Sequence, residues 1–308
     1  MMCEVTFVII GRNESQHLPR TFRSVLKVTN NIIFVDSNSS DNSVQIAKDF
    51  NIKTILRVTS SYGTAALSRS VGATHVSTKY IHFLDGDETI EKDWVDKALL
   101  KIKSDKNIAG VHGYKKVFKK NDKDYTILSD KADWEPDYLQ GAFLIDRKIY
   151  EMSGGMETRI FGEEERDLYL RVKSLGYEIW YIHELMASHY DFKVKTFKHL
   201  LFGPSSYTIW IPLFKAIKNG NLRSYFFVYR YLLPPLILDM LSIFSIFLGL
   251  KAFLMTSLIA QIIELIYCIK IQRRGYFITW KAAIINFPRI IQVYLRKIET
   301  STENLTEN

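Results

Sequence analysis

Two carboxylates one residue apart, Asp85 and Asp87, directly follow the apolar run Tyr80-Ile81-His82-Phe83-Leu84. At a strand end such a pair can hold a hard divalent cation between protein and phosphate oxygens, and a cation there neutralises a leaving diphosphate. An Asp-x-Asp taken alone is equally an ordinary turn. A second cluster, Asp36-Ser37-Asn38-Ser39-Ser40-Asp41, also follows an apolar run. Its short polar side chains suit hydrogen bonding to a base and a ribose, or simply a loop with a helix N-cap. The third is Gly162-Glu163-Glu164-Glu165-Arg166-Asp167-Leu168. Consecutive glutamates on a helix point about 100° apart, so one of them can face a cleft as a general base. The plain alternative is a set of N-terminal acids favoured by the helix dipole.

The elements that must position these clusters show in the hydrophobic pattern. Residues 5–10, 32–35, 53–58 and 80–84 read as buried strands, and 17–29, 44–50, 65–74 and 94–102 as helices. The alternation implies an α/β fold with a mostly parallel sheet and helices on both faces. In such sheets ligands bind beyond the carboxyl ends of the strands, where both acidic turns fall. Residues 108–118, 125–128 and 141–145 read as further strands. Residues 162–175 read as a helix stopped by Gly176, and 178–182 as the last strand.

The whole chain has 308 residues, enough for one large domain or two modest ones. Its two cysteines, Cys3 and Cys268, exclude a disulfide framework and a multi-cysteine zinc site. The start lacks the basic region and cleavage site of a signal peptide. A net charge of +8 suits nucleic acid, an anionic membrane or a phosphorylated substrate. No nucleic-acid motif accompanies the charge, so nucleic acid is not an expected partner.

After residue 190 the composition changes. Residues 232–250 and 252–269 are almost unbroken apolar sequence separated by Lys251, each near the ~20 residues that span a bilayer. Asp239 and Glu264 fall at similar depths of a hairpin turning at Lys251, where they could share a proton or a partner. The reading is spanning or re-entrant insertion, against a soluble hairpin that docks on the catalytic domain or a second subunit. Arg223, Arg230, Lys270, Arg273 and Arg274 flank the hairpin, which keeps both ends and the catalytic domain cytoplasmic at a cell membrane. The expected organisation is a catalytic domain at 1–200, an amphipathic connection at 201–230, a two-helix membrane hairpin at 231–270, an interfacial helical segment at 271–298 and a disordered tail at 299–308.

Taken in order, several segments resemble glycosyltransferase family 2, the inverting enzymes with the GT-A nucleotide-sugar fold. They are Val8-Ile9-Ile10-Gly11-Arg12-Asn13-Glu14, Val35 to Asp41, Ala66-Leu67-Ser68-Arg69-Ser70-Val71-Gly72, Leu84-Asp85-Gly86-Asp87-Glu88, Glu164 to Arg171 with Gly176 and Tyr177, and His189. The resemblance covers roughly residues 4–195. It implies that Asp36 recognises the nucleotide base, that Asn13 and Glu14 border the donor, and that Arg69 sits by the diphosphate. Asp85 would reach the ribose and metal, Asp87 would ligate Mn2+ or Mg2+, and His189, just past the last strand, would complete the metal shell. Gln140 and Gly141 would lie beside the donor sugar. The family's usual base is the Asp of a Glu-Asp pair. Here that position is Glu165, with Glu164 as the other candidate, and Ser70 replaces the usual Asn.

The implied reaction takes a sugar from a nucleotide-diphosphate donor, most often UDP-linked, to a hydroxyl of a lipid-linked glycan in surface polysaccharide synthesis. Lys115, Lys116, Lys119, Lys120, Lys193, Lys195 and Lys198 would meet lipid head groups or the acceptor diphosphate, or are solvated surface lysines. The alternatives are transfer directly to polyprenyl phosphate and a non-catalytic nucleotide-sugar-binding membrane protein.

Overall fold

The computed structural model describes residues 4–61, 63–118, 125–128, 139–162, 164–190, 210–230, 233–270, 281, 284–285, 295 and 299–306. The chain divides into two compact units, Met1–Val194 together with Arg296–Asn308, and Lys195–Leu295.

The first unit begins with β1 (Val5–Gly11), α1 (Leu18–Leu26), β2 (Ile32–Asp36), α2 (Ser43–Asp49), β3 (Thr54–Ser60), α3 (Ala65–Thr74) and β4 (Tyr80–Asp85). These are the strand–helix alternations that the hydrophobic pattern implies. β1 and β2 are buried over almost their whole length, as strands covered on both faces must be. β3, β2, β1 and β4 are parallel neighbours in that order. The chain therefore reverses its direction of travel between β1 and β4, and crevices open at such a switch point. Helix α3 closes tightly over this half. A Cβ at Gly72 would lie 2.4 Å from Val8 Cγ1 and 2.9 Å from Val35 Cγ2, so only hydrogen fits.

The second half of the sheet is mixed. β5 (Glu88–Ile90), α4 (Trp94–Ser104), β6 (Ile108–Phe118), β7 (Tyr125–Leu128), β8 (Phe143–Asp146), α5 (Arg147–Met152), α6 (Glu164–Ser174) and β9 (Glu178–His189) follow. β8 runs antiparallel to both β4 and β6, β6 pairs parallel with β9, and β5 pairs antiparallel with β9 at the sheet edge. β9 runs well past the expected end at residue 182, so His189 is its last residue rather than a loop residue. Trp94 donates its indole N–H to His82 Nε2 at 2.9 Å, beneath the sheet. Burial drives the His82 pKa down to about 3, so this histidine is a neutral core group.

The expected disordered tail is corrected. Thr300–Asn304 forms β10, antiparallel to β3, with Thr300 opposite Ser60 and Asn304 opposite Leu56. The strand's own residues are exposed, which is why a polar TSTEN run hides it. Its anchor is the next residue. Leu305 donates its N–H to Ile55 O at 2.8 Å and buries its side chain in the core with Ile55.

The second unit contains α7 (Trp210–Lys218), α8 (Leu222–Val228), α9 (Leu233–Phe244), a 3-10 turn (Ser245–Leu248) and α10 (Leu250–Lys270). The hairpin turns at Gly249, with φ of 106°, and not at Lys251, which lies inside α10. That backbone region suits glycine alone. Among the described residues one helix, over Leu250–Tyr267, is long and apolar enough to cross a membrane, and the apolar stretch Leu233–Leu248 is shorter. Asp239 and Glu264 do share a partner. Lys281 Nζ lies 2.6 Å from Asp239 Oδ1 and 2.5 Å from Glu264 Oε2. Apart from residues 281, 284, 285 and 295, the expected interfacial segment falls outside the described residues, as do Lys119, Lys120, Lys193, Lys195, Lys198 and Glu163.

Candidate active site

The carboxyl ends of β1 to β4 converge on one cleft of about 390 Å³. Register brings them level: Gly11 on β1 faces Asp36 on β2, and Ile10 faces Asp85 on β4. Gly11 and Glu14, Ser37 and Asn38, Thr64 and Ser68, Asp85 to Asp87, Phe161 and His189 line it. Polar side chains stitch the rim. The N–H of Asn13, at φ 57°, donates to Ser39 Oγ at 2.9 Å, and its Oδ1 accepts the N–H of Ser40 at 2.8 Å. The N–H of Ser15 donates to Asp41 Oδ2, and Ser37 and Ser68 join their hydroxyls at 2.7 Å. The Asp85-Gly86-Asp87 turn is pinned by Gly86 N–H to Ile10 O and by Thr21 Oγ1 to Gly86 O, each 2.8 Å.

The centre of the site is Arg69, buried on α3. One nitrogen donates to Asp85 Oδ1 at 2.8 Å, and the other to Glu164 Oε1 at 3.0 Å and Glu165 Oε1 at 2.9 Å. Two adjacent glutamates at the first turn of α6 thus converge on one guanidinium instead of diverging. Burial opposes the Arg69 charge, but Asp85, Glu165 and Glu164 outweigh it and hold it protonated. Burial would raise the Asp85 carboxyl, yet Arg69, and behind it Lys115 and His189, bring it below its usual range. Gly141 lies close against this group: a Cβ there would stand 3.1 Å from Arg69, 3.3 Å from Asp85 Oδ2 and 3.5 Å from Glu165 Oε1.

The two glutamates differ. The Glu164 side chain is 4% exposed and that of Glu165 15%. Burial, then the charge of Glu165, pushes Glu164 up to about 8 against the pull of Arg69. Its Oε2 is buried without a hydrogen-bond partner, which a protonated acid tolerates better than a carboxylate.

His189 Nε2 lies 3.2 Å from Asp87 Oδ2, and the N–H of Tyr190 reaches Asp87 O. Burial lowers the His189 pKa, but the bond to Asp87 and the charges of Glu88 and Asp87 carry it up to about 9. As they stand, no three His, Cys, Asp or Glu side chains among the described residues are gathered around one point, because Asp85 turns to Arg69 and Asp87 to His189. The donor chemistry still fits a hard cation. Asp85, Asp87 and His189 border one cleft and offer carboxylate oxygens and one imidazole nitrogen.

Asp36 is fully buried, with Arg57 Nε on Oδ2 at 3.0 Å and the Ser39 N–H on both oxygens. Gln140 precedes Gly141 on the approach to β8 and is half-buried. Glu14 is buried at the cleft wall. Sequence reasoning missed Arg57, Ser68 and Thr64. Thr64 caps α3 by accepting the Leu67 N–H and donates to Thr158 O, tying the helix to the segment before α6. A threonine before an apolar helical run is an N-cap signal that would have found it.

Residues 6–160 match the profile of Glycosyl transferase family 2. The chain belongs to that family. This family 2 chain is 28% identical over 95 residues to an uncharacterized glycosyltransferase of Rickettsia conorii, a match over 30% of this chain and 32% of the relative. It thus spans about a third of that curated relative's length. Among solved structures it is similar to the mannosyltransferase PcManGT from Pyrobaculum calidifontis in complex with GDP-Man and Mn2+, with a TM-score of 0.60 at 15% identity over 92% of this chain and 87% of that one. It is also similar to S. aureus TarS 1-349 in complex with UDP-GlcNAc, with a TM-score of 0.52 at 11% identity over 62% and 59% of the two chains. At such identities the likeness is one of fold: the sheet unit of this family 2 chain is a GT-A fold.

Proposed function

We propose that this chain is an inverting glycosyltransferase that moves a sugar from a nucleoside-diphosphate donor, a UDP-sugar by family resemblance, to a hydroxyl of a lipid-linked glycan. The observation that carries the reading is Arg69, a buried cation bonded at once to Asp85 and Glu165 and packed against Gly141. It links the diphosphate end of the cleft to the acid that would serve the acceptor. That solved relatives were captured with UDP-GlcNAc and GDP-Man supports a nucleotide-sugar donor as a class.

Glu165 is the base in this reading. A base at neutral pH must be ionised and reachable. Glu164 is nearly sealed and holds its proton to about pH 8, so it cannot accept another. Glu165 takes the proton of the acceptor hydroxyl, and that oxygen attacks the anomeric carbon. The bond from that carbon to the diphosphate breaks, and the nucleoside diphosphate leaves with the electron pair from the opposite face. Arg69 stabilises the charge that grows on it. Asp87 and His189, with Asp85, would hold Mn2+ or Mg2+, which supplies further neutralisation of the diphosphate when bound. Membrane association at the cytoplasmic face rests on the apolar hairpin and its basic flanks.

The decisive variant is Glu165→Gln. Donor binding measured by calorimetry should persist, while transfer falls about 10²–10⁴-fold, the usual worth of a general base. Full turnover in Glu165→Gln with loss in Glu164→Gln would move the base by one residue.

A further inference from the structure

Lys115 does not sit among the solvated lysines where the basic run would place it. It is 7% exposed on β6, and its Nζ lies 2.6 Å from Oε1 of Glu88, itself 1% exposed. The path of that contact matters. β6 pairs with β9 through Lys115 opposite Ala187, and β9 pairs with β5 through His189 opposite Glu88. The lysine stem therefore reaches across β9 to a strand that is not its neighbour. β5 is only three residues long, stands at the edge of the sheet and begins directly after Asp87. β9 ends at His189. Of the two residues that would hold the cation, Asp87 directly precedes β5 and His189 ends β9, the two strands that Lys115 clamps. Glu88 Oε2 is buried with no hydrogen-bond partner, so Lys115 is its counter-charge through Oε1 alone.

We propose that Lys115 is a positioning residue for the metal and diphosphate site, acting through Glu88. It touches neither cation nor donor. It fixes the start of β5 against the end of β9, which sets the spacing of Asp87 from His189, and it places a buried positive charge behind a turn carrying three carboxylates. Groups that hydrogen-bond a metal's ligands change metal affinity 10–100-fold when removed, and Lys115, one residue further out through Glu88, is expected at the low end of that range. The inference rests on the proposed function for the identity of the ligand and for the metal at Asp87 and His189.

The test uses the full chain, with UDP as probe and Mn2+ titrated in calorimetry. Lys115→Met should raise the Mn2+ concentration at half-saturation of UDP binding by roughly tenfold or more, with UDP affinity at saturating Mn2+ largely kept. Lys115→Arg, which preserves the charge and reach, should recover most of the shift. Should Lys115→Met not fold, Glu88→Gln keeps the lysine and weakens the clamp, and it should shift the half-saturation the same way by a smaller factor. An unchanged Mn2+ half-saturation in Lys115→Met, or in Glu88→Gln where only that variant folds, overturns the proposal whatever happens to the melting temperature. Metal-independent UDP binding by the unmodified protein overturns the metal assignment and this proposal together, and the unmodified arm of the titration reports that separately.

Discussion

One guanidinium cannot neutralise three carboxylates, and Arg69 faces Asp85, Glu164 and Glu165. The cluster resolves this by keeping a proton on Glu164, whose pKa rises from 4.5 to about 8. A carboxyl raised on folding binds more protons in the folded state than in the unfolded one. Its contribution to stability is present below about pH 4.5 and is lost as pH rises through about 8. The melting temperature should therefore fall between about pH 5 and 8, and the fall should be shallower in Glu164→Gln. A steeper fall in that variant would contradict the assignment. Removing the cation is harsher. Arg69→Met leaves buried carboxylates unpaired and should destabilise the protein by about 3–5 kcal/mol in denaturant melts. Asp87→Ala should leave the fold intact and abolish the metal dependence of donor binding, read by calorimetry with and without EDTA.

At the level of elements, the close approach of α3 to β1 and β2 is a sensitive point next to the site. Gly72→Ala puts a methyl 2.4 Å from Val8 Cγ1, so the valines or α3, which carries Arg69, must shift. The expected result is a loss of roughly 1–3 kcal/mol from overpacking, and weaker nucleotide binding than an equally destabilised variant far from the cleft. The strands and helices around this point were legible because their residues are apolar at the spacings that burial demands. β6 and β7 were legible to the residue, and so was the placement of both acidic turns at strand ends. The convergence of Glu164 and Glu165 was not, because helical spacing alone separates neighbours and only the long-range contact with Arg69 gathers them. Lys115 was misread for a related reason. A basic run looks solvated until the acid that buries one member, Glu88, is located on another strand. The turn at Gly249 was displaced to Lys251 because charge is a weaker punctuation mark than a backbone conformation open to glycine.

For the molecule as a whole, the strand β10 changes what the C-terminal half can do. Both connections of the unit Lys195–Leu295 lead back to the same sheet unit. If α10 crosses a bilayer, the chain must cross again or re-enter, since an odd number of crossings would put β10 and β3 on opposite sides. Full-length protein should stay with membranes through carbonate extraction and be released by detergent. Recovery in the carbonate-soluble fraction would leave the exposed apolar hairpin as a docking element. Leu305→Ala should cost about 2–4 kcal/mol by emptying its core position, and it should do so without altering membrane fractionation. Cutting the chain after residue 219 would remove β10 along with the hairpin and so would confuse the two effects.

The return of β10 also orders events in time. β3 is made early, but its outer edge has no partner until residues 300–305 arrive, after the whole apolar unit. At about 5–20 residues per second of synthesis, the interval from residue 194 to residue 300 lasts roughly 5–20 s. Throughout it the nascent sheet carries an open edge, a ready template for wrong pairing, while the hairpin meets whatever apolar surface receives it. The last strand thus acts as a latch: the sheet is completed only after the hairpin has been synthesised.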